Sequence, residues 1–173
     1  PGGGRRDHAC VAYAGRLYVI GGIDQANPAT STVFSAAIQA DGSLGSWGTA
    51  SPLTGFRADH SAFAYDGCLY AVGGNNGTFN LASAEYAKGY PDGSRSTWTL
   101  TTALPGTRVA LAAVAAGGYA YAIGGNAPNL TSVVSAPILP GGGLGPWSST
   151  TSMAIGRSFP AAVEYNGRIF ISG

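Results

Sequence analysis

Two Asp-His pairs, at residues 7–8 and 59–60, combine side chains that proteins often use to bind metal ions. A carboxylate beside an imidazole suits zinc or copper. Each pair begins two residues after an arginine. The equivalent positions after Arg108 and Arg157 are occupied by Ala-Leu and Phe-Pro. Because these ligand types do not recur at the two other equivalent positions, we expect no metal or cofactor.

The arginines at 57, 108 and 157 form a second candidate set. A guanidinium group binds a carboxylate or a sugar acid through two parallel hydrogen bonds. The regular recurrence of these arginines favours a structural role instead, such as bonding to loop carbonyls between neighbouring sheets. At the level of sequence, both interpretations stay open.

The segment "ADGSLGSW" at 40–47 offers the oxygens of Asp41 and Ser43, as a calcium or phosphate loop would. Its counterparts are "PDGSRSTW" at 91–98, which begins Pro-Asp92, and "PGGGLGPW" at 140–147. The last one has Gly141 in place of the aspartate but keeps the spacing to tryptophan. A calcium site needs the oxygen ligands, whereas a turn needs only the glycines. We therefore predict a turn.

These segments belong to an internal repeat. The copies are "RRDHACVAYAGRLYVIGG" from Arg5, "RADHSAFAYDGCLYAVGG" from Arg57, "RVALAAVAAGGYAYAIGG" from Arg108 and "RSFPAAVEYNGRIFISG" from Arg157. The arginines follow one another at intervals of 52, 51 and 49 residues, and a tryptophan stands ten residues before each of the last three. Four copies in one register make the repeat the dominant signal in the chain.

A period near 50 with a Gly-Gly pair and a tryptophan resembles the kelch repeat of β-propellers, over nearly the whole chain. The turns of the "DGSLGSW" type are similar to those of secreted microbial kelch-repeat proteins. The resemblance implies an all-β, kelch-type β-propeller domain spanning 1–173. Its blades would be blade 1 at about 5–56, blade 2 at about 57–107, blade 3 at about 108–156 and the first two strands of blade 4 at 157–173.

The residues of one copy agree with a four-stranded blade. Strand a, such as "HACVAYA", is apolar on both faces, and a two-residue turn such as "DG" at 66–67 leads to strand b. The glycine pair then permits a close backbone approach, and the tryptophan is expected to wedge between blades. The structural repeat residues are Gly21, Gly22, Gly73, Gly74, Gly124, Gly125, Trp47, Trp98 and Trp147.

The topology of such a blade separates its loops. The a–b and c–d turns would lie on one face of the disc, and the b–c loops and d–a connections on the other. The b–c loops vary in length, which is typical of recognition surfaces on a constant scaffold. The ligand-face candidates are Arg57, Asp59, Asn75, Asn76, Arg108, Asn126, Asn129 and Arg157.

Composition limits the classes of partner. The net charge is +1 and the few arginines are scattered, which argues against nucleic acid, and no apolar run is long enough to insert in a membrane. The single lysine, the scarcity of charge and the sequons at Asn76 and Asn129 favour an extracellular or cell-surface location with possible glycosylation. Cys10 and Cys68 fit no metal spacing and would be either one disulfide or two buried thiols.

We expect a non-enzymatic binding or structural module with a protein or glycan ligand. One alternative is a fragment of a carbohydrate-active kelch enzyme. A galactose-oxidase-like copper site is not matched by two equivalent histidines, whereas a mutarotase-like site could recruit Asp7, Asp59 and Arg57. A second alternative is an intracellular peptide-docking adaptor.

Three and a half blades do not close a ring of about four to eight blades. We therefore expect either further blades in a longer chain or a second copy that covers the open edges.

Overall fold

The computed structural model describes residues 4–89, 95–126 and 129–173, and within these ranges every regular element is a β-strand. None of the described residues forms a helix able to cross a membrane. The strands are β1 (Ala9–Tyr13), β2 (Arg16–Ile20), β3 (Val33–Ala37), β4 (Gly48–Ala50), β5 (Ser61–Tyr65), β6 (Cys68–Val72), β7 (Ala84–Lys88), β8 (Thr99–Thr101), β9 (Ala112–Ala116), β10 (Tyr119–Ile123), β11 (Val133–Pro137), β12 (Ser148–Thr150), β13 (Ala161–Tyr165) and β14 (Arg168–Ser172).

The strands form three four-stranded antiparallel sheets and one two-stranded sheet, each paired in sequence order. They are the blades: β1–β4, β5–β8, β9–β12 and β13–β14. The first two strands of each blade are joined by two residues with positive φ, for example Asp66 at 41° and Gly67 at 80°. Two successive positive φ angles match the right-handed twist of a hairpin, which explains the Gly, Asn and Asp at these turns.

The first strand of every blade lies innermost, so that β1, β5, β9 and β13 are neighbours around a central channel. Just before these strands, a backbone hydrogen bond joins each blade to the next. The amide of Asp59 donates to the carbonyl of Asp7 at 2.9 Å, and Ala110 donates to Asp59 at 2.8 Å. Phe159 completes the series by donating to Ala110 at 2.8 Å. We call these four residues, Asp7, Asp59, Ala110 and Phe159, the mouth ring.

Apolar side chains fill the seams between blades. Trp98 is 6% exposed and lies in one cluster with Tyr18 and Ile20 of the preceding blade. Its indole nitrogen donates to the carbonyl of Ser51 at 3.0 Å, and that of Trp147 donates to Thr102 at 3.0 Å. Both tryptophans therefore bridge adjacent blades, which confirms the predicted wedge.

The glycine pairs are points where the backbones of neighbouring blades come close together. The amides of Gly22, Gly74 and Gly125 donate to the carbonyls of the arginines that open the following blades, at 2.7, 2.7 and 2.9 Å. A Cβ on Gly73 would lie 2.5 Å from the carbonyl oxygen of Arg108. The predicted close approach is confirmed, and it joins two different blades.

Replacing Gly21 by alanine is expected to destabilise the protein by about 3 kcal/mol, because the added Cβ would overlap the Arg57 carbonyl and meet the His60 ring at 2.9 Å. Gly15 is the matched control, since its φ of 70° resembles the 59° of Gly21 but a Cβ there would meet no atom within 4 Å. Gly15→Ala should cost only the backbone strain, about 1 kcal/mol. Urea unfolding compares the two, and equal losses would show that the seam is not tightly packed at Gly21.

Candidate functional site

The segment at 40–47 is a hairpin turn between β3 and β4. Oδ1 of Asp41 accepts hydrogen bonds from the amide and the hydroxyl of Ser43, at 3.0 and 2.7 Å. These bonds from Ser43 lower the pKa of the Asp41 carboxyl. The aspartate therefore holds the turn through its own neighbours, as the sequence predicted. Asp92, in the second counterpart, lies outside the described residues.

The b–c loops on the opposite face are stiffened by side-chain turns. Oδ1 of Asp24 accepts from the amides of Ala26 and Asn27 at 2.9 and 2.8 Å. In blade 2, Oδ1 of Asn76 accepts from the amides of Thr78 and Phe79 at 3.0 and 2.8 Å. Both are Asx turns, in which a short polar side chain replaces a backbone partner. The loops of the first two blades therefore present their tips in a fixed form.

An equivalent backbone hydrogen bond closes the b–c loop of each complete blade, but the number of residues that it encloses differs. It joins Thr30 to Gly22 in blade 1, Leu81 to Gly74 in blade 2 and Leu130 to Gly125 in blade 3. Neighbouring loops also touch, because a Cβ on Gly77 would lie 3.0 Å from the Pro28 ring. In blade 3, Asn126 and Asn129 are both exposed. The expected variation in loop length on a constant scaffold is therefore present.

The burial of Arg57 and Arg108 contradicts their prediction as ligand-face residues. Nη1 of Arg57 donates to the carbonyls of Gly73 and Ser83, and Nη1 of Arg108 donates to those of Gly124 and Ser132. Burial lowers the pKa of both guanidinium groups. Their side chains thus tie the end of strand b to strand c within their own blade. Within the part of the chain that the structure describes, these side chains bind no carbonyl across the seam, although one sequence interpretation expected such bonds. Their burial also makes them unavailable to a ligand.

The third arginine, Arg157, is half-buried and donates to the carbonyl of Gly173, which follows β14 as Gly73 follows β6. Its side chain therefore repeats the structural contact of the other two.

In blades 1 and 2 the opening arginine contacts a different residue at the same position of strand c. Nη2 of Arg57 lies 2.8 Å from Oε1 of Glu85, and both side chains are almost completely buried. The equivalent of Glu85 in blade 1 is Phe34, whose ring lies 4.9 Å beneath the Arg5 guanidinium. In blade 3 the position is Val134. Glu85 also accepts from the amide of Thr54 at 2.7 Å, so its ion pair holds the d–a connection as well.

Asp59 and Asn75 are brought together at the mouth of the channel. Nδ2 of Asn75 donates to Oδ2 of Asp59 at 2.8 Å, and Oδ1 of Asn75 accepts from the amide of Gly77 at 3.0 Å. Burial and, after it, the charge of Asp7 raise the pKa of the Asp59 carboxyl. Asp59 is thus a partly buried carboxylate fixed by an amide rather than by a cation.

The two histidines form no metal centre with other ligands, since among the described residues no three His, Cys, Asp or Glu side chains converge on one point. His60 is buried, and neither of its ring nitrogens has a hydrogen-bond partner among the described residues. Burial, together with the charges of Arg57 and His8, lowers the pKa of His60 to about 3. The imidazole is therefore neutral at ordinary pH.

The channel itself holds a cavity of about 430 Å³ at the start of the innermost strands. Asp7, His8, Asp59 and His60 contribute its polar lining, and Phe159 lies on the side of blade 4. Cys10 also lines it and is exposed, whereas Cys68 is buried in the seam between blades 2 and 3. Both are free thiols, so neither the disulfide nor the pair of buried thiols expected from sequence is present.

The apolar side chains that this face exposes were not predicted from the sequence. Phe56 and Ile155 lie in d–a connections, Phe79 lies in a b–c loop and Phe159 belongs to the mouth ring, with exposures between 56% and 69%. No repeat marks these positions, because each residue type occurs in one blade only. The signal available was the occurrence of large apolar residues in loops that are otherwise rich in Asn, Ser, Thr and Gly.

A family model for the kelch motif matches residues 4–35, which run from the opening arginine of blade 1 through β1, β2 and the glycine pair into β3. The fold is a kelch-type β-propeller. The structure holds three complete blades and the first two strands of a fourth, as expected.

Over 98% of its length, this propeller chain is similar to two curated proteins of Limulus polyphemus. It is 28% identical to alpha-scruin over 182 residues and 25% identical to beta-scruin over 180 residues. The chain spans 19% of the length of each scruin, so it matches only a part of them.

Acid is expected to weaken the fold through His60. Its pKa falls from an ordinary value of 6.5 to about 3 on folding, so the unfolded chain binds a proton that the folded chain resists. The contribution of neutral His60 to the free energy of unfolding is present in full above pH 6.5. It is lost below that pH, by up to about 1.4 kcal/mol per pH unit until about pH 3.

Urea unfolding between pH 7 and pH 4 measures this decline in the unchanged protein and in the variant His60→Leu. Leucine is chosen because Leu111 is the equivalent residue in blade 3. The variant should lose the decline, whereas His8→Leu should retain it. The raised pKa of Asp59 acts in the opposite sense but is common to all three proteins. An identical pH dependence in the His60 variant would contradict the assignment.

Proposed function

We propose that this propeller is a non-enzymatic binding module that engages a protein partner through the face formed by its b–c loops and d–a connections. The observation that carries the proposal is the exposure of Phe56, Phe79, Ile155 and Phe159 on that face. Groups of exposed apolar side chains mark surfaces where proteins interact, and aromatic residues are enriched where proteins bind one another.

The opposite face exposes a weaker set among the described residues of the three complete blades. Its exposed large apolar side chains there are Ile38, Leu44, Tyr119 and Leu139, at 42% to 46% exposure, and blade 4 adds Tyr165 at 66%. The a–b and c–d turns that carry them are short and regular. The contrast supports the division into a binding side and an architectural side.

The binding side is also organised before a partner arrives. Phe79 ends the Asx turn of Asn76, and the loop of Asn76 lies against Pro28 of the neighbouring loop. Binding would therefore order little backbone, which lowers the entropic cost of association. The enzymatic alternative has less support, because Arg57, the arginine it would recruit, is paired with Glu85 and two carbonyls.

Exchange of Phe79 for serine is expected to reduce capture of a partner at least tenfold, as for a central aromatic contact. The immobilised protein is used to isolate partners, and each is quantified against the variant. Tyr119→Ser is the matched control, since it removes an exposed aromatic side chain from the other face. Both variants should keep the melting temperature. Equal loss of capture in the two variants, or no loss in either, would count against the proposed face.

An extracellular or cell-surface location belongs to the proposal, with support from the low lysine content and the two sequons. Asn129 is exposed, and Asn76 is half-buried at the start of its Asx turn. A glycan on either would stand on the proposed binding side and would shield part of it.

Secretion from a glycosylating host should therefore give a protein whose mass falls after treatment with an amidase that removes N-linked glycans. Asn76→Gln and Asn129→Gln should each abolish part of that shift. An unmodified secreted protein would remove the sequons as an argument for this location.

A further inference from the structure

We propose that the sheet face of blade 4 that points away from blade 3 packs against the sheet face of blade 1 that points away from blade 2, in a second copy of this chain. We call these two surfaces the terminal face of blade 4 and the terminal face of blade 1. The inference goes beyond the proposed function, because it concerns the sheets of two blades and a partner with the same sequence.

The terminal face of blade 4 is largely apolar. Side chains alternate along β13 and β14, and one set packs on blade 3, so the other set points away from it. The members of that second set are Ala161, Val163, Tyr165, Phe170 and Ser172, all exposed. Val163 and Phe170 are 58% and 51% exposed. Their equivalents in blade 2, Phe63 and Tyr70, are only 7% and 0% exposed, because they lie in the seam with blade 3.

The terminal face of blade 1 has the shape that such side chains need. It consists of Cys10, Ala12, Leu17, Val19 and Phe34, which alternate with the residues packed on blade 2. Cys10 and Ala12 are small and exposed. Ala113 and Ala115, at the equivalent positions of blade 3, pack in the seam that holds the stacked aromatic rings of blade 2. Small residues facing large ones allow two sheets to pack closely.

Polar groups of the two faces also match. Across the seam between blades 1 and 2, the amide of Gly67 donates to the hydroxyl of Tyr13 at 2.9 Å. The position of Tyr13 is occupied in blade 4 by Tyr165, which is 66% exposed. The position of Gly67 is occupied in blade 1 by Gly15. A second copy would therefore bring the amide of its Gly15 to the hydroxyl of Tyr165.

The mouth ring has a donor at one end and an acceptor at the other. Its three bonds run from blade 4 to blade 1, so the series has the amide of Asp7 and the carbonyl of Phe159 as its two ends. The amide of Asp7 in a second copy would continue the series by donating to the carbonyl of Phe159.

The proposed contact continues an interface that the chain already contains. Blades 1 and 2, 2 and 3, and 3 and 4 pack in the same order, each through two different sheet faces. Because one copy carries both terminal faces, a second copy can offer each of them the surface that fits it. Such a head-to-tail contact either closes into a ring or extends as a row of chains.

Sedimentation equilibrium tests the association. The chain should have an average mass above the 17.3 kDa of one copy, and this mass should rise with protein concentration. Phe170→Ser should raise the dissociation constant about tenfold, as for a central aromatic contact. Leu100→Ser is the matched control, since Leu100 is 60% exposed but lies in β8, at the outer edge of blade 2. The control variant should associate like the unchanged protein.

Cys10 provides a second test that removes no apolar contact. In the seam between blades 2 and 3, the amide of Ala113 donates to the hydroxyl of Ser61 at 2.8 Å. The equivalent positions in the proposed contact are Cys10 of blade 1 and Ala161 of blade 4. Two cysteines form a disulfide when their Cα atoms lie within about 7 Å.

Mild oxidation of Ala161→Cys should therefore link two chains through Cys10, which non-reducing electrophoresis detects as a doubled mass. Addition of Cys10→Ser should abolish the link, because Cys68 is buried.

Three results would overturn the inference: the mass of one copy at every concentration, association that Phe170→Ser leaves unchanged, or no disulfide between chains in Ala161→Cys. The first is expected if further blades or a different protein cover these faces. Capture of a partner through Phe79 is measured separately, since Phe79 lies in a loop outside both terminal faces.

Discussion

The approach of each opening arginine to the preceding glycine pair is the constraint on which this propeller depends. The Arg57 carbonyl accepts the amide of Gly22 across the seam, while its guanidinium group binds the carbonyls of Gly73 and Ser83 in its own blade. One residue therefore fixes the position of a blade relative to its neighbour and the internal path from strand b to strand c. The glycines are required because any side chain would occupy the space of that carbonyl.

Sequence variation is tolerated next to these backbone contacts. The second residue of strand c, which lies near the arginine in blades 1 and 2, is an example. Phe34 offers an aromatic face, Glu85 a carboxylate and Val134 only apolar contact. All three leave the bonds from the arginine to the backbone carbonyls in place. The backbone carbonyls are thus the essential partners, and side chains around them are free to differ. A repeat of this kind can diverge in sequence while the spacing of its arginines, glycines and tryptophans stays constant.

The fold followed from the sequence because its signals recur in every copy, whereas the site could be anticipated only in part. The turns, the glycine pairs and the wedge of Trp98 were predictable from spacing. The burial of Arg57 was not predictable, because an arginine in a loop can equally bind a ligand or bind backbone carbonyls of the protein. Only the positions of its carbonyl partners decide between the two. Phe79 and Phe159 were missed for the opposite reason, since each is unique to one blade and a repeat draws attention to what is shared. The residues that carry the proposed function are those that the repeat does not share.

The mouth ring has an electrical consequence. Its three bonds, such as the one from Asp59 to Asp7, pair backbone amides with carbonyls from one blade to the next. Paired backbone groups have little hydrogen-bonding capacity left for an incoming molecule. The side chains of the mouth ring therefore set the charge at this end of the channel, and changing one of them should alter attraction or repulsion while the bonds between blades remain.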